Sequence, residues 1–401
     1  MKEGSISPFA EQTHAPALPA AAPKEVARID WLDGVRGCSA VYVMLHHIYL
    51  FLFPGFPVNS GPWALGWLMY GQIAVVVFIV VSGFSLGLAP ARRRNSLKDG
   101  ASTFWIRRAW RILPPYWIAL LFSLSVHHFL LADAVNVAAN LRTFIVYGLL
   151  LQDVVPSDSP NSAFWSIAVE AQIYIVFPLL LVLSRAHSSR LMAVAVLVFV
   201  CVAHWAAVRF HPLARIDHFV PQLLVGFAFG VWAAEEVSSA TPRFRAWRLT
   251  WIAGGMAAAL IGVCAVIGIV EVSRSYFTID LIAAFVVAIG FVGFAETRSR
   301  FAHFLGSAPL RFVGQFSYSL YLIHAPLVAL FLTYWSPPRF ADPVLTYAVA
   351  ALLVAPPVTA ASYLFFLVFE RPFLTIRSWA QFRAWITGSR LAMKRGSARQ
   401  A

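Results

Sequence analysis

Two sets of ionisable side chains stand near the two ends of one apolar stretch, residues 30–53, DWLDGVRGCSAVYVMLHHIYLFLF. Asp33 and Arg36 are three positions apart and share a helical face, where a carboxylate and a guanidinium can neutralise each other. His46 and His47 stand towards the other end, and imidazole is the side chain that exchanges a proton near neutral pH. A charge at the centre of an isolated membrane helix costs about 2.5–3.5 kcal/mol on the insertion scale, so several ionisable groups in one such segment read as a functional site. Asp33 and His47 would be about 21 Å apart along a continuous helix, too far for a direct hydrogen bond. Gly34 and Gly37 bracket Arg36 and could permit an unwound turn, which membrane helices tolerate where protein or a water-filled cavity satisfies the backbone. A cavity beside this helix is expected.

The elements that position these groups must themselves sit in lipid. With 401 residues, 60% hydrophobic and 12% charged, the chain reads as a polytopic membrane protein. Its formal charge of +13 raises nucleic acid as a partner, but Lys and Arg are scattered between apolar spans and form no basic domain, so no nucleic acid is expected. Cys38, Cys201 and Cys264 each fall inside a hydrophobic segment with no C-x-x-C spacing, which signals neither a disulfide nor zinc. No metal is expected.

Hydropathy places ten spans near residues 32–53, 65–88, 112–131, 166–184, 191–208, 219–234, 250–270, 278–294, 316–335 and 343–369. The apolar run 143–151 is shorter than the ~20 residues a crossing helix needs and reads as re-entrant or interfacial. Charge supports that choice: with the N-terminus inside, ten spans leave only Arg142, Arg209, Arg215, Arg274 and Arg339 of the 31 Lys/Arg residues outside. An eleventh span would turn RFRAWR at 243–248 and the basic tail outward. The expected fold is therefore an all-α polytopic bundle with both termini cytoplasmic. Residues 1–29 read as a disordered cytoplasmic arm, 30–373 as the membrane domain, and 374–401 as a basic tail whose Trp379 and Trp385 suit an interfacial helix.

Three further constellations carry chemistry. Arg107, Arg108 and Arg111 have i,i+3 and i,i+4 spacing, so three guanidinium groups can share one face at the mouth of the third span and bind phosphate. The alternative is an ordinary positive-inside anchor, as for Arg92–Arg94. Trp165-Ser-Ile-Ala-Val-Glu170-Ala-Gln172-Ile-Tyr174 opens the fourth span, placing Glu170 about a turn from the outer face, where it could also simply snorkel. Ser317-Tyr318-Ser-Leu-Tyr321-Leu-Ile-His324-Ala-Pro326 brings another histidine, facing a cavity or bonded between helices. Glu370 and Arg371 read as a helix stop with local pairing, and His127, His128, His204, His211 and His218 as interfacial groups or contacts for an acceptor.

Taken together these segments resemble the acyltransferase-3 family of membrane-bound O-acyltransferases. The resemblance rests on Asp33-Gly34-x-Arg36-Gly37 followed by a helix reaching His47, Ser82-Gly83-Phe84, the R-R-x-x-R pattern at 107–111, W-S-x-x-x-E-x-Q-x-Y at 165–174, S-Y-x-x-Y-L-x-H-x-P at 317–326, and Glu370-Arg371-Pro372. Many members carry a second acid after the first, where this chain has Ala171. The resemblance implies transfer of an acyl group, most often acetyl, from cytoplasmic acyl-CoA to a hydroxyl of a carbohydrate or glycolipid at or beyond the cell membrane. It favours His47 over His46 as general base, with Arg36 neutralising Asp33 or helping to hold the cofactor, Glu170 orienting the acceptor or the histidine from the outer side, and Arg107, Arg108 and Arg111 on the cofactor. Trp165, Gln172, Tyr174, Tyr318 and His324 become candidate cavity or substrate residues. A direct transfer and an acyl-histidine intermediate both remain open.

A reading from another class is a proton-coupled transporter using Asp33, Arg36, His47, Glu170 and His324 as its pathway. It lacks repeated halves and matched broken helices. A non-catalytic membrane scaffold would leave the aligned polar residues unexplained.

Overall fold

The computed structural model describes residues 29–58, 61–131, 140–239, 246–296, 299–335 and 338–387. The expected arm lies, apart from Ile29, outside the described residues, as does the basic tail beyond Thr387. Among the described residues all regular structure is helical. The helices are α1 Asp30–Leu52, α2 Gly71–Ala91, α3 Gly100–Ser125, α4 Leu141–Gly148, α5 Phe164–Ala186, α6 Ser189–Arg209 and α7 Gln222–Ser238. They continue as α8 Ala246–Arg274, α9 Tyr276–Glu296, α10 Arg300–Leu305, α11 Ala308–Gln315, α12 Ser317–Tyr334, α13 Pro343–Phe365 and α14 Trp379–Ile386.

Among these residues nine segments are long and apolar enough to cross a membrane. The pair His211–Phe219 and Gln222–Ser238, bent by 45°, makes a tenth if it counts as one span. Each overlaps one of the hydropathy windows, the third beginning at Gly100, twelve residues before its window. The run at 143–151 forms α4 and the turn after it, and α4 has 8 residues, too few to cross. Local chemistry sets several starts: Asn140 accepts a hydrogen bond from Thr143 N, Ser188 from Leu191 N, and Asp342 from Val344 N with Pro343 at the first helical position.

The first span crosses from one apolar cluster to another. Trp31, Leu32 and Val35 belong to a cluster with α2, α5, α6, α7 and α9, whereas Ala40, Val43, Met44 and Ile48 belong to one with α3, α12 and α13. α1 is continuous, so the glycines serve a purpose other than unwinding. A Cβ on Gly34 would stand 1.7 Å from the Leu305 carbonyl oxygen, and one on Gly37 would stand 2.5 Å from that of Leu310. They let α1 lie backbone to backbone against α10 and α11, next to Arg36.

α5 begins inside the bundle. Its entry is held by Asn161, 3% exposed, whose Nδ2 donates to the Leu322 carbonyl of α12 (2.7 Å) and to Ser123 Oγ of α3 (3.4 Å). The Asn161 Oδ1 accepts from Ala163 N at 3.0 Å, so one carboxamide ties three helices. Residues after this point are therefore deeper than their distance from the preceding loop suggests.

Candidate active site

Between α1, α2, α3, α5, α12 and the turns after α13 lies a cavity of about 760 Å³. Asp33, Arg36, Arg107, Arg108, Arg111, Glu170, Tyr174 and Tyr318 of the sequence-derived set line it. The Arg36 guanidinium donates through Nη1 to Asp33 Oδ1 (3.2 Å) and through Nη2 to Ser85 Oγ (2.6 Å). The i,i+3 spacing is thus an ion pair, and α2 fixes its far side. Arg107 pairs with Asp99 at 2.8 Å, Arg108 lies 5.7 Å from the Phe104 ring with its buried Nε unpartnered among the described residues, and Arg111 is exposed. The expected shared face exists and is turned into the cavity.

Glu170 occupies a different place from the one expected. Its Oε1 accepts from Ser82 Oγ at 2.9 Å and from Tyr174 Oη at 2.5 Å, and Ser82 and Tyr174 touch at 2.7 Å. Trp105 Nε1 donates to the Tyr174 carbonyl at 3.0 Å, which locks α3 to this turn of α5. Because α5 starts within the bundle, Glu170 joins the arginines in one cavity and does not lie near the opposite face. Ser82 contributes a hydroxyl here; only its neighbour Gly83 serves close packing, with room for no Cβ beside the Phe227 carbonyl (2.1 Å).

Glu370 also reaches the cavity, in place of pairing locally with Arg371. Its Oε2 accepts from Ser319 N (3.1 Å) and Ser319 Oγ (2.5 Å), satisfying a backbone donor in the first turn of α12. The end of the last span thereby anchors the start of α12. Tyr318 Oη donates to the Ile112 carbonyl at 3.1 Å, and Tyr321 and Ser166 hydroxyls lie 2.6 Å apart with the Phe78 ring edge-on to Tyr321 at 5.6 Å.

The histidines stand just beyond. His324 lies one turn past Tyr321 on α12, and its Nε2 is 3.1 Å from His47 Nδ1. His324 Nδ1 contacts the carbonyls of Leu320 (3.0 Å) and Tyr321 (2.9 Å). Carbonyls only accept, so Nδ1 of His324 carries the proton and Nε2 of the neutral ring offers a lone pair. His47 Nδ1 contacts the Val43 carbonyl at 2.8 Å, so it too is protonated and shares that proton with His324 Nε2. What remains on His47 is an unprotonated Nε2 with no hydrogen-bond partner among the described residues, on a part-buried ring. His46 turns elsewhere, bonding through Nδ1 to the Leu68 carbonyl at 2.7 Å.

Neither His47 nor His324 lines the cavity, and Trp165 and Gln172 do not either. Trp165 packs against the apolar cluster around α2, α5 and α7. Gln172 Nε2 donates to Asp153 Oδ2 at 2.9 Å, fastening the loop before α5. Burial pushes the Asp153 carboxyl above its usual range, and the Gln172 hydrogen bond opposes that shift. The polar cavity residues that the sequence did not assign to the site include Ser85, Ser166, Gln315, Tyr321 and Arg377, and Glu370 was placed there only by the fold. Tyr321 sat inside a recognised segment and was readable; Arg377 carried no signal beyond a basic tail.

A family model described as an acyltransferase domain matches residues 29–368, and the chain belongs to that family, acyltransferase-3. Among its curated relatives is the putative peptidoglycan O-acetyltransferase YrhL of Bacillus subtilis (strain 168), 27% identical over 335 residues, covering 75% of this chain and 49% of the relative. Another is the peptidoglycan O-acetyltransferase OatA of Listeria monocytogenes serovar 1/2a, 26% identical over 327 residues with 75% and 49% covered. The O-acetyltransferase OatA of Staphylococcus aureus (strain NCTC 8325 / PS 47) is 23% identical over 350 residues, with 81% and 54% covered. The chain spans about half the length of these relatives. No solved structure matches it.

Proposed function

We propose that this protein is a plasma-membrane O-acetyltransferase that moves an acetyl group from cytoplasmic acetyl-CoA to a hydroxyl of cell-wall carbohydrate, with peptidoglycan as the favoured acceptor from the names of its relatives. The observation that carries the proposal is the gathering of Arg36, Arg107, Arg108 and Arg111 in one cavity that ends a helical turn short of the His47–His324 pair. Guanidinium groups suit the phosphates of the donor, and the positive-inside distribution of the loops turns them to the cytoplasm.

In this reading the thioester reaches His47 from the arginine side and the acceptor hydroxyl reaches it from the other. His47 Nε2 takes the hydroxyl proton as the oxygen attacks the thioester carbonyl carbon. The C–O bond forms, the C–S bond breaks, and the imidazolium returns its proton to the departing thiolate. His324 positions His47 by accepting the Nδ1 proton, the role a hydrogen-bonded partner plays for any histidine base. Arg36 is held in register by Asp33 and Ser85 to meet the donor.

The test is release of CoA thiol from acetyl-CoA by the purified full chain in lipid, with and without muropeptide, beside a His47→Ala control. Acceptor-stimulated release that His47→Ala abolishes is the expected result. Release that survives in a folded His47→Ala protein at normal rate overturns the mechanism, and absence of both acetyl-CoA binding and release overturns the donor.

A further inference from the structure

The stretch after α13 runs beyond the residues matched by the family model, which end at 368. It nevertheless reaches the cavity. The turn Arg371–Leu374 leads through Arg377 to α14, and Phe373, Leu374 and Arg377 all line the cavity, Phe373 buried and Leu374 and Arg377 exposed at its edge. This strap is clamped by Trp110, whose ring stacks on Phe373 at 6.3 Å and meets Trp379 at 5.0 Å and Phe382 at 5.5 Å. Trp110 sits between Arg108 and Arg111, so one turn of α3 both presents guanidinium groups and holds the strap against them.

The backbone at Arg377 is fixed as well. Its N–H donates to Gln381 Oε1 at 2.7 Å, while Ser378 Oγ accepts from Gln381 N at 3.3 Å, a reciprocal arrangement of the capping-box kind. The guanidinium itself has no ion-pair or hydrogen-bond partner among the described residues, and the same holds for that of Arg111. Five arginines therefore face one cavity against three carboxylates, Asp33, Glu170 and Glu370. Like charges gathered in this way are suited to a polyanion.

We infer that Arg377 is a donor-binding residue: the strap closes over the cavity mouth so that Arg377 and Arg111 together grip the phosphates of the nucleotide end of acyl-CoA. The inference rests on the donor reading above. Phosphate on an anionic lipid headgroup shares this chemistry, and Trp379 and Arg383 on α14 face outward where such a lipid would lie. The cavity-lining position of Arg377 favours the nucleotide.

Equilibrium titration of the full chain in zwitterionic-lipid nanodiscs separates the two. The ligands are acetyl-CoA and S-acetylpantetheine, which lacks the phosphates, and the variants are Arg377→Ala, Arg377→Lys and the outward-facing control Arg383→Ala. Loss of one charge-assisted contact predicts about a tenfold rise in Kd for acetyl-CoA in Arg377→Ala, partial recovery in Arg377→Lys, and no change in Arg383→Ala or for S-acetylpantetheine. An unchanged Kd for acetyl-CoA, an equal loss for both ligands, or an effect seen only when anionic lipid is added overturns the inference. If the unaltered protein does not bind acetyl-CoA at all, the donor reading falls and takes the inference with it.

Discussion

The two ends of α1 solve the problem of polar groups in lipid in different ways. At one end Asp33 and Arg36 are charged, and they satisfy each other across one helical turn with Ser85 as a third partner. At the other end His46 and His47 are held by carbonyl oxygens, of Leu68 and Val43, and by the lone pair of His324. The first end holds a paired charge, the second a ring in one tautomer; on the proposed mechanism the charge would meet the donor and the ring would be the base. Eleven positions, or about 16 Å of helix, keep the two environments apart. Charge that helps to bind a donor would hinder a base that must stay unprotonated.

Exchange experiments can break this contrast. Replacing His47 by Ala is expected to lower acyl transfer by at least about a thousandfold while acetyl-CoA affinity stays within a factor of two, measured by thiol release beside a binding titration. Arg36→Ala should do the reverse in kind, weakening donor binding by about a hundredfold, and Arg36→Lys should not restore it because one ammonium cannot span Asp33, Ser85 and a ligand. His324→Gln retains an acceptor for the His47 proton but loses the ring, so turnover should fall by about tenfold with the Kd for acetyl-CoA unchanged.

The smallest expected effect concerns the far face of α5, where Asp153 meets Gln172. Because burial raises the folded-state pKa of Asp153, its contribution to stability is complete below the unperturbed value of 3.8 and is lost as pH rises through the raised value. Asp153→Asn cannot ionise and still accepts from Gln172. Thermal unfolding in detergent should therefore show that the variant lacks this decline and gains under about 1 kcal/mol near neutral pH.

Much of this was legible in residue spacing, and the part that was not has a common cause. Helical periodicity correctly places Asp33 beside Arg36, and Arg107, Arg108 and Arg111 on one face, because those relations are internal to a single helix. Hydropathy likewise places nine spans, and a tenth where the bent pair His211–Phe219 and Gln222–Ser238 counts as one. It cannot say which helices face each other, so His324 remained undecided between a cavity and an interhelical bond, although it meets His47 across 277 positions. Glu170 was misjudged in depth because one buried side chain, Asn161, starts α5 inside the bundle. Glu370 was read as a local stop because the backbone donor it satisfies, at Ser319, is 51 positions earlier. Arg377 owes its place to Trp110, a contact no linear pattern announces.

The short range of the Asp33–Arg36 pair has a consequence for how the protein is made. α1 is the first of the described spans to leave the ribosome, and α12, which brings His324, follows only after more than half of the chain has been synthesised. Throughout that interval the first span must reside in the bilayer with its arginine far from most of its final surroundings. A carboxylate one turn away travels with it, so the charge is already matched when the helix enters lipid, while Ser85 and His324 join later as further partners of Arg36 and His47.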